Sequence, residues 1–278
     1  MRRKIEQIFK GEIVTEGAGV RLRRVFGYFE ASLFDPFLLL DDFRSDTPAD
    51  YLKGFPWHPH RGIETITYVL RGDVEHGDSM GNSGVISSGD VQWMTAGSGI
   101  VHKEMPKGDA SGSMHGFQLW ANLPARHKMM PPRYRSITAA DIPEVDAGHG
   151  VRIKIIAGTA NGQSGPAADI VIEPEYLDVS LQPGVEYVHP TRPGVTAFLY
   201  AINGAGAVDG TGVEDRTLVL FGPGDELAVT AGASGLRFLL VTGQPLNEPI
   251  AWRGPIVMNT EEELYTAFRE FEDGTFVK

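Results

Sequence analysis

The feature that most constrains the fold of this chain is an approximate internal repeat. Three short matches recur in the same order in the two halves, 131 to 135 residues apart. They pair His58-Pro59 with His189-Pro190, Gly72 with Gly204, and Gly89-Asp90 through Thr95-Ala96-Gly97 with Gly224-Asp225 through Thr230-Ala231-Gly232. Loop insertions produce small changes of this kind in the separation. Ordered matches at a near-constant separation predict one domain that is duplicated along the chain.

Strand-length runs of β-branched and aromatic residues dominate the chain. The clearest are ETITYVL (64–70), TAFLYAI (196–202), RTLVLF (216–221) and LRFLLVT (236–242). The 278 residues include 34 Gly and 18 Pro without a collagen-like period, so turns are frequent and long helices are disfavoured. Together with the repeat, this pattern predicts an all-β fold of two β-barrels packed together.

One short helix is predicted near the C-terminus. Thr260 and Glu263 have the spacing of a capping box, and Asp273-Gly274 ends the segment. The apolar residues at helical spacing between them are Leu264, Ala267, Phe268 and Phe271. We expect this stripe to pack on a barrel wall.

A polar stretch between residues 133 and 150 separates the two halves. It contains Ile142-Pro143 and Gly148 and carries few apolar residues, which is typical of a linker. A boundary near residue 139 predicts an N-terminal barrel of residues 1–138 and a C-terminal barrel of residues 139–278.

The charge of the chain is negative and unevenly distributed. The net charge is −11, with +1 in residues 1–139 and −12 in residues 140–278. Because binding to nucleic acid phosphates requires a basic face, nucleic acid is not expected as a direct partner. The acidic half predicts a solvated surface or a docking face for a basic partner.

The chain has no Cys, which excludes disulfides and thiolate sites. It also has no apolar segment of the kind that spans a membrane or directs secretion, so we expect a cytoplasmic protein.

The histidines indicate a metal site in the first half. Seven of the eight lie in the first 150 residues, and His58, His60, His102 and Glu104 form two pairs with i, i+2 spacing. On a strand, residues i and i+2 point to the same face, so each pair directs two ligands one way. If both strands line one barrel, three imidazoles and a carboxylate converge on a divalent Fe, Mn, Ni, Cu or Zn ion. His76 and His115 are interpreted as surface or ordinary hydrogen-bonded residues, with a supporting role at the site as the alternative.

The repeat predicts that the second half has lost this site. In the repeat, His189-Pro190-Thr191 aligns with His58-Pro59-His60, so the second half lacks the second imidazole of this pair. With one inserted residue, His102 aligns with Phe238 and Glu104 with Leu240. We therefore expect one metal ion per chain, bound in the first half.

Five long motifs resemble those of the pirin family of the cupin superfamily. They are FDPFLLLDDF (34–43), GFPWHPHRGIETITYVLRG (54–72), GDVQWMTAGSGIVHKEMP (89–106), GFQLWANLP (116–124) and PIAWRGPIVMNT (249–260). The resemblance implies two cupin (jelly-roll) barrels, of which only the N-terminal one binds metal. It also implies His58, His60, His102 and Glu104 as the metal ligands. Glu64 is then expected to support these ligands without binding the metal itself.

The resemblance implies an activity on flavonols. Several pirins resemble quercetinases, which open the flavonol ring with O2 and release carbon monoxide. We expect a metal-dependent dioxygenase acting on quercetin-like substrates, with Glu104 as the base. Candidate substrate contacts are Phe55, Trp57, Met94 and Gln118. For Met94, and for its neighbour Trp93, ordinary barrel core is the favoured interpretation.

A non-enzymatic role is the alternative hypothesis. Other pirins are regarded as metal- or redox-sensing regulators that bind a transcription factor or a metabolic enzyme, and the acidic second half is consistent with a protein partner. In either case one divalent metal ion is expected, Fe(II) first, with Mn, Ni, Co, Cu and Zn as alternatives. A monomer is expected, because two barrels packed on each other cover much of their strand edges.

Overall fold

The computed structural model describes residues 1–278, which form two compact units. The first unit comprises residues 12–139 and 246–278. The second unit comprises residues 1–11 and 140–245. Neither α-helix of the chain is long and apolar enough to cross a membrane.

The first half of the chain is made of short strands with little helix. Its elements are β1 (Ile5–Phe9), β2 (Glu12–Glu16), β3 (Val20–Phe26), α1 (Ala31–Phe34), β4 (Phe37–Asp42), a 3-10 turn (Pro48–Asp50), β5 (Phe55–His60), β6 (Ile63–Arg71), β7 (Asp73–Asp78), β8 (Ser83–Ile86), β9 (Val91–Thr95), β10 (Ile100–Lys107), β11 (His115–Asn122), a 3-10 turn (Ala125–His127) and β12 (Arg133–Ile137).

The second half repeats this pattern and ends in a helix. Its elements are β13 (Glu144–Gly148), β14 (Val151–Ala157), β15 (Thr159–Ala160), β16 (Gln163–Ser164), β17 (Glu175–Leu181), β18 (Glu186–Pro190), β19 (Thr196–Val208), β20 (Thr211–Glu214), β21 (Leu218–Phe221), β22 (Glu226–Gly243), β23 (Ala251–Arg253), β24 (Ile256–Met258) and α2 (Glu261–Glu272). The all-β prediction with a short C-terminal helix is confirmed.

Two antiparallel sheets build the first unit. Seven strands lie in the order β12-β9-β6-β11-β4-β3-β2, and four lie in the order β5-β10-β7-β8. Ring contacts join their inner faces, His60 of β5 with Trp120 of β11 at 5.1 Å and His76 of β7 with Tyr134 of β12 at 5.0 Å between centroids. These contacts place the interior of a jelly roll between the two sheets.

The second unit repeats the pairing order of the large sheet. Its strands follow β1-β21-β19-β22-β17-β14-β13, with β18 paired to β22 and β20 paired to β19. Its interior is apolar, and Leu199, Val219, Leu227 and Phe238 are fully buried there. The duplicated barrel predicted from the repeat is therefore present in both units.

The structure differs from the predicted division at the two ends of the chain. β1 belongs to the second unit because it pairs with β21, and residues 246–278 belong to the first unit. There α2 buries Leu264 and Ala267 against Ile256 and Phe276. The capping box forms, since the Glu263 amide donates to Thr260 Oγ1 at 3.2 Å and the Thr260 amide donates to Glu263 Oε2 at 3.0 Å.

Candidate metal centre

Strand pairing brings the three predicted histidines together. β5 and β10 are antiparallel neighbours with His58 opposite His102 and His60 opposite Ile100. Along β10, Ile100, His102 and Glu104 are buried while the residues between them are half-buried, so His102 and Glu104 face the interior together. One ring nitrogen from each of His58, His60 and His102 lies within 4.8 Å of the other two.

Backbone carbonyls fix the tautomers of two of these imidazoles. His58 Nδ1 lies 2.8 Å from the Pro56 carbonyl oxygen, and His60 Nδ1 lies 2.9 Å from that of Pro255. A carbonyl oxygen only accepts, so each Nδ1–H donates, and in the neutral form of such a ring the lone pair is on Nε2. The two Nε2 atoms are 3.1 Å apart. Two lone pairs at that distance repel each other unless a proton or a cation lies between them.

His102 supplies a third ligand atom with no competing partner. Its side chain is fully buried, and neither ring nitrogen has a hydrogen-bond partner. Burial and the neighbouring imidazoles lower the pKa of His102 well below its usual range, and burial with His58 does the same for the pKa of His60. Neutral imidazoles are the form that binds a metal ion, because the lone pair is then free.

Glu104 brings a carboxylate to the same place. Thr67 Oγ1 donates to its Oε1 at 2.9 Å, and Gln118 Nε2 lies 3.2 Å from both carboxylate oxygens. Its Oε2 lies 4.0 Å from His102 Nε2. Three nitrogen donors and one oxygen donor fit a divalent first-row transition metal, and the unpartnered ring of His102 is what such an ion would satisfy.

A cavity of about 590 Å³ opens onto this cluster. His58, His60 and Glu104 form part of its wall, and the apolar part includes Leu22, Leu39, Phe43, Val74 and Trp120. This volume is in the range of pockets that hold a small aromatic ligand.

Three of the four expected substrate contacts line this cavity, and the fourth does not. Phe55, Trp57 and Gln118 are in the wall, with Trp57 56% exposed. Met94 is fully buried and packs against Ile63, Ala96 and Ile100. It is therefore a core residue, and its assignment as a substrate contact is wrong because the neighbouring apolar residues cover it.

Glu64 hydrogen-bonds residues other than the proposed metal ligands. It accepts hydrogen bonds from Trp93 Nε1 at 3.1 Å and Thr95 Oγ1 at 2.6 Å. Side chains alternate along a strand, so Glu64 is on the opposite face of β6 from Thr67, which contacts Glu104. Burial raises the pKa of Glu64, and the expectation that it supports the ligands is wrong.

His76 lies closer to the candidate centre than its interpretation as a surface or ordinary hydrogen-bonded residue implied. Its ring is buried, lies 5.5 Å from that of His102 between centroids, and has Nε2 3.3 Å from Asp78 Oδ2. It therefore forms the buried wall beside His102. The i, i+2 spacing of His76 and Asp78 on a strand was the available signal. His115 lies elsewhere, with Nε2 3.8 Å from Asp42 Oδ1.

The second unit holds no comparable cluster. His189 is buried, with Nδ1 2.8 Å from the Tyr187 hydroxyl and Nε2 3.4 Å from Glu175 Oε2. The residue opposite it is Leu227, on the first part of β22. The predicted alignment of His102 with Phe238 is therefore wrong, because Phe238 lies on the second part of β22, opposite Val179.

Comparison with known proteins gives the family. The Pirin family matches residues 19–121, and the pirin C-terminal cupin domain matches residues 176–277. A pirin-like protein from Caulobacter vibrioides is 45% identical over 275 residues, which cover 99% of each chain. This chain belongs to the pirin family.

A second curated relative and a solved structure are also similar to this chain. A pirin-like protein from Solanum lycopersicum is 43% identical over 263 residues, covering 93% of this chain and 88% of the relative. The crystal structure of a quercetin 2,3-dioxygenase from Acinetobacter baumannii superposes with a TM-score of 0.89 at 34% identity and covers 100% of both chains. The resemblance drawn from the motifs is thereby confirmed, as are the two cupin domains.

Proposed function

We propose that this pirin is a metal-dependent dioxygenase that opens the ring of quercetin-like flavonols with O2. The observation that carries the proposal is the cluster of three imidazoles with Glu104 beside it, of which His58, His60 and Glu104 line a cavity of about 590 Å³. The solved relative named as a quercetin 2,3-dioxygenase supports it. The reaction inserts both atoms of O2 into the flavonol and releases one ring carbon as carbon monoxide.

His58, His60, His102 and Glu104 would hold one divalent ion, for which we propose Fe(II). The donor set also accepts Mn, Co, Ni, Cu and Zn. When bound, the ion would supply Lewis acidity toward the 3-hydroxyl oxygen of a flavonol. The carbonyls of Pro56 and Pro255 keep the Nε2 atoms of His58 and His60 available as ligands.

Glu104 takes the proton of the 3-hydroxyl in this proposal. Thr67 and Gln118 orient its carboxylate, and they leave further lone pairs for the substrate hydroxyl. Phe55 and Trp57 provide apolar contacts for a flat aromatic body at the same cavity.

The test is metal reconstitution followed by quercetin turnover. Chelator-treated protein is loaded without oxygen with Fe(II), Mn(II), Co(II), Ni(II) or Cu(II), and the quercetin absorbance is followed after air is admitted. We expect decay that requires metal, is lost in His58→Ala and persists in His189→Ala, the matched buried histidine of the second unit. If one ion per chain binds tightly but quercetin does not decay with any of these metals, the proposed dioxygenase activity is overturned and the proposed metal site is retained.

A non-enzymatic regulator that binds a protein partner is the second candidate. The observation in its favour is the charge of −12 on residues 140–278, against +1 on residues 1–139. Its partner would be a transcription factor or a metabolic enzyme with a basic surface. If this function is correct, a partner retained by the metal-loaded chain is lost with His58→Ala, whereas a partner indifferent to that change contradicts it.

A further inference from the structure

The cavity has a second polar cluster besides the metal centre. Arg24 donates to Asp41 through Nε to Oδ1 at 3.0 Å and through Nη2 to Oδ2 at 2.9 Å. Its Nη1 donates to Glu16 Oε1 at 2.8 Å. All three side chains line the same cavity as His58 and Glu104, and we name them the arginine cluster.

The strand register measures how far this cluster lies from the metal centre. Arg24, Asp41, Gln118 and Thr67 are successive partners across β3, β4, β11 and β6. Neighbouring strands are about 4.8 Å apart, and both Gln118 and Thr67 hydrogen-bond Glu104. Asp41 therefore lies one to two strand spacings, about 5–10 Å, from the Glu104 end of the cavity. That distance suits a two-ring or three-ring aromatic molecule held at both ends.

The charges and free lone pairs of the cluster define what it can bind. Two carboxylates surround one guanidinium, which leaves a net charge of −1, and Glu104 adds a further negative charge to the cavity. Each carboxylate oxygen has lone pairs beyond those that Arg24 uses, so the cluster offers more acceptors than donors. A neutral hydroxyl group can donate to these oxygens, whereas an anionic group would be repelled.

We propose that the arginine cluster is a distal specificity site, which selects aromatic substrates that carry hydroxyl donors on the ring remote from the metal-binding group. The inference rests on the proposed function for the orientation of the substrate, because the metal end must hold the other ring. It assigns Asp41 and Glu16 as the acceptors and Arg24 as the residue that positions them.

The second unit contains a matched control. Arg237 donates to Asp178 through Nε at 2.9 Å and through Nη2 at 2.6 Å, which is the same bidentate pairing. Both residues lie at a separate surface groove with Glu144, Arg152 and Lys154, with no histidine among its lining residues. Substitution of Asp178 therefore removes an equivalent ion pair without changing the cavity.

The experiment measures flavonol binding to Zn(II)-loaded protein, because a redox-inactive ion separates binding from turnover. Quenching of tryptophan fluorescence reports the Kd, since Trp57 and Trp120 line the cavity. The probes are quercetin, which carries two hydroxyls on its outer ring, and 3-hydroxyflavone, which carries only the metal-binding hydroxyl. We expect wild type to bind quercetin at least about tenfold more tightly, the value for one or two hydrogen bonds to charged groups.

The variants locate this preference. Asp41→Asn and Glu16→Gln should each reduce it severalfold while leaving the Kd of 3-hydroxyflavone unchanged, and Asp178→Asn should leave both Kd values unchanged. Glu16 is 40% exposed, so its substitution carries the test if Asp41→Asn does not fold. A preference that survives in Glu16→Gln, or equal binding of the two probes by wild type, overturns this inference alone. No binding of either probe overturns the proposed function as well.

Discussion

At the residue scale, groups that bind no metal themselves set the tautomer or the charge of the imidazoles at the candidate centre. Two proline carbonyls accept the Nδ1–H groups of His58 and His60, and burial keeps His60 and His102 neutral. The two carbonyls determine, also in the metal-free protein, which ring nitrogen carries the lone pair. Substitution near the centre can therefore weaken metal binding without removing a ligand.

Glu104→Gln tests the base. The amide cannot take a proton from the substrate hydroxyl, so we expect kcat for quercetin to fall by a factor of about 10²–10⁴. The three imidazoles remain, so metal should still bind. The rate of quercetin decay and the metal content of the same sample check this expectation, and full activity in the variant contradicts the assignment.

Asp41 should make the stability of the protein depend on pH. Burial raises the pKa of Asp41 to about 6, although Arg24 opposes the shift. Because the folded state then holds the proton more tightly than the unfolded state, the contribution of Asp41 is complete below about pH 4 and is lost as the pH rises through about 6. The loss amounts to at most about 3 kcal/mol of the free energy of unfolding.

Urea unfolding of wild type and Asp41→Asn between pH 4 and pH 7 measures this contribution. The asparagine does not titrate, so the free energy of unfolding of wild type should fall relative to the variant across that range. Parallel curves for the two proteins are the contrary result.

At the scale of secondary-structure elements, the C-terminal segment completes the metal centre. Residues 246–278 supply the carbonyl of Pro255 to His60, and Trp252, Gly254 and Pro255 to the cavity wall. Two buried basic side chains of the first unit hold this segment. Lys128 Nζ donates to the carbonyl oxygens of Gly62 at 2.9 Å and Val257 at 3.0 Å, and the second basic side chain is Arg61.

Arg61 connects β5 directly to the end of the chain. It is 2% exposed, and its Nε donates to the Ser98 carbonyl at 2.6 Å and its Nη2 to that of Phe276 at 3.0 Å. Its Nη1 forms an ion pair with Glu270 of α2 at 2.7 Å. The residue after a proposed ligand thus holds both α2 and the segment that follows it.

Arg61→Met should therefore weaken metal binding without removing a ligand. Loss of these contacts leaves the segment carrying Pro255 less firmly held, and we expect metal affinity to fall by about 10–100-fold, the usual effect of losing a group that orients a ligand. Calorimetric titration with Zn(II) measures the Kd. Arg237→Met is the matched control, because it removes a hydrogen-bonded arginine from the second unit and should leave the Kd unchanged. An unaltered Kd in Arg61→Met counts against the role of the segment.

At the scale of the whole molecule, one fold occurs twice and the candidate site occurs once. Both units follow the same seven-strand order, β12-β9-β6-β11-β4-β3-β2 in the first and β1-β21-β19-β22-β17-β14-β13 in the second. Opposite His189 the second unit has Leu227, and Val229 follows it on the same face of β22. Apolar side chains there fill the space that the histidines border in the first unit.

This difference predicts one metal ion per chain. Elemental analysis after loading with excess metal and removal of the unbound ions should give about one equivalent for wild type and for His189→Ala, and none for His102→Ala. Two tightly bound equivalents in wild type would contradict the prediction, since a second ion has no group of three ligands to bind it.

The sequence by itself determined the features that depend on local spacing. The i, i+2 pairs at His58 and His102 specify ligands on one face of a strand, and the capping box at Thr260 specifies where α2 begins. Glycine-rich turns and strand-length apolar runs specify an all-β fold, and the approximate repeat indicates that this fold is duplicated. Each of these signals lies within a few residues or recurs at a fixed separation, so it can be read without knowing which strands pair.

Tertiary structure alone decided what depends on long-range pairing. Pro255 is 195 residues from His60 whose tautomer it fixes, and Arg24 meets Asp41 only because β3 pairs with β4. Glu64 was misassigned because it points to the opposite face of β6 from Thr67, and only strand pairing shows which face borders the ligands. Met94 pairs with Thr65 and so faces the same side as Thr67, but neighbouring apolar residues cover it, which tertiary packing alone decides. Residues 1–11 belong to the second unit and residues 246–278 to the first, and this too follows from strand and helix packing. No local pattern in the sequence predicts it.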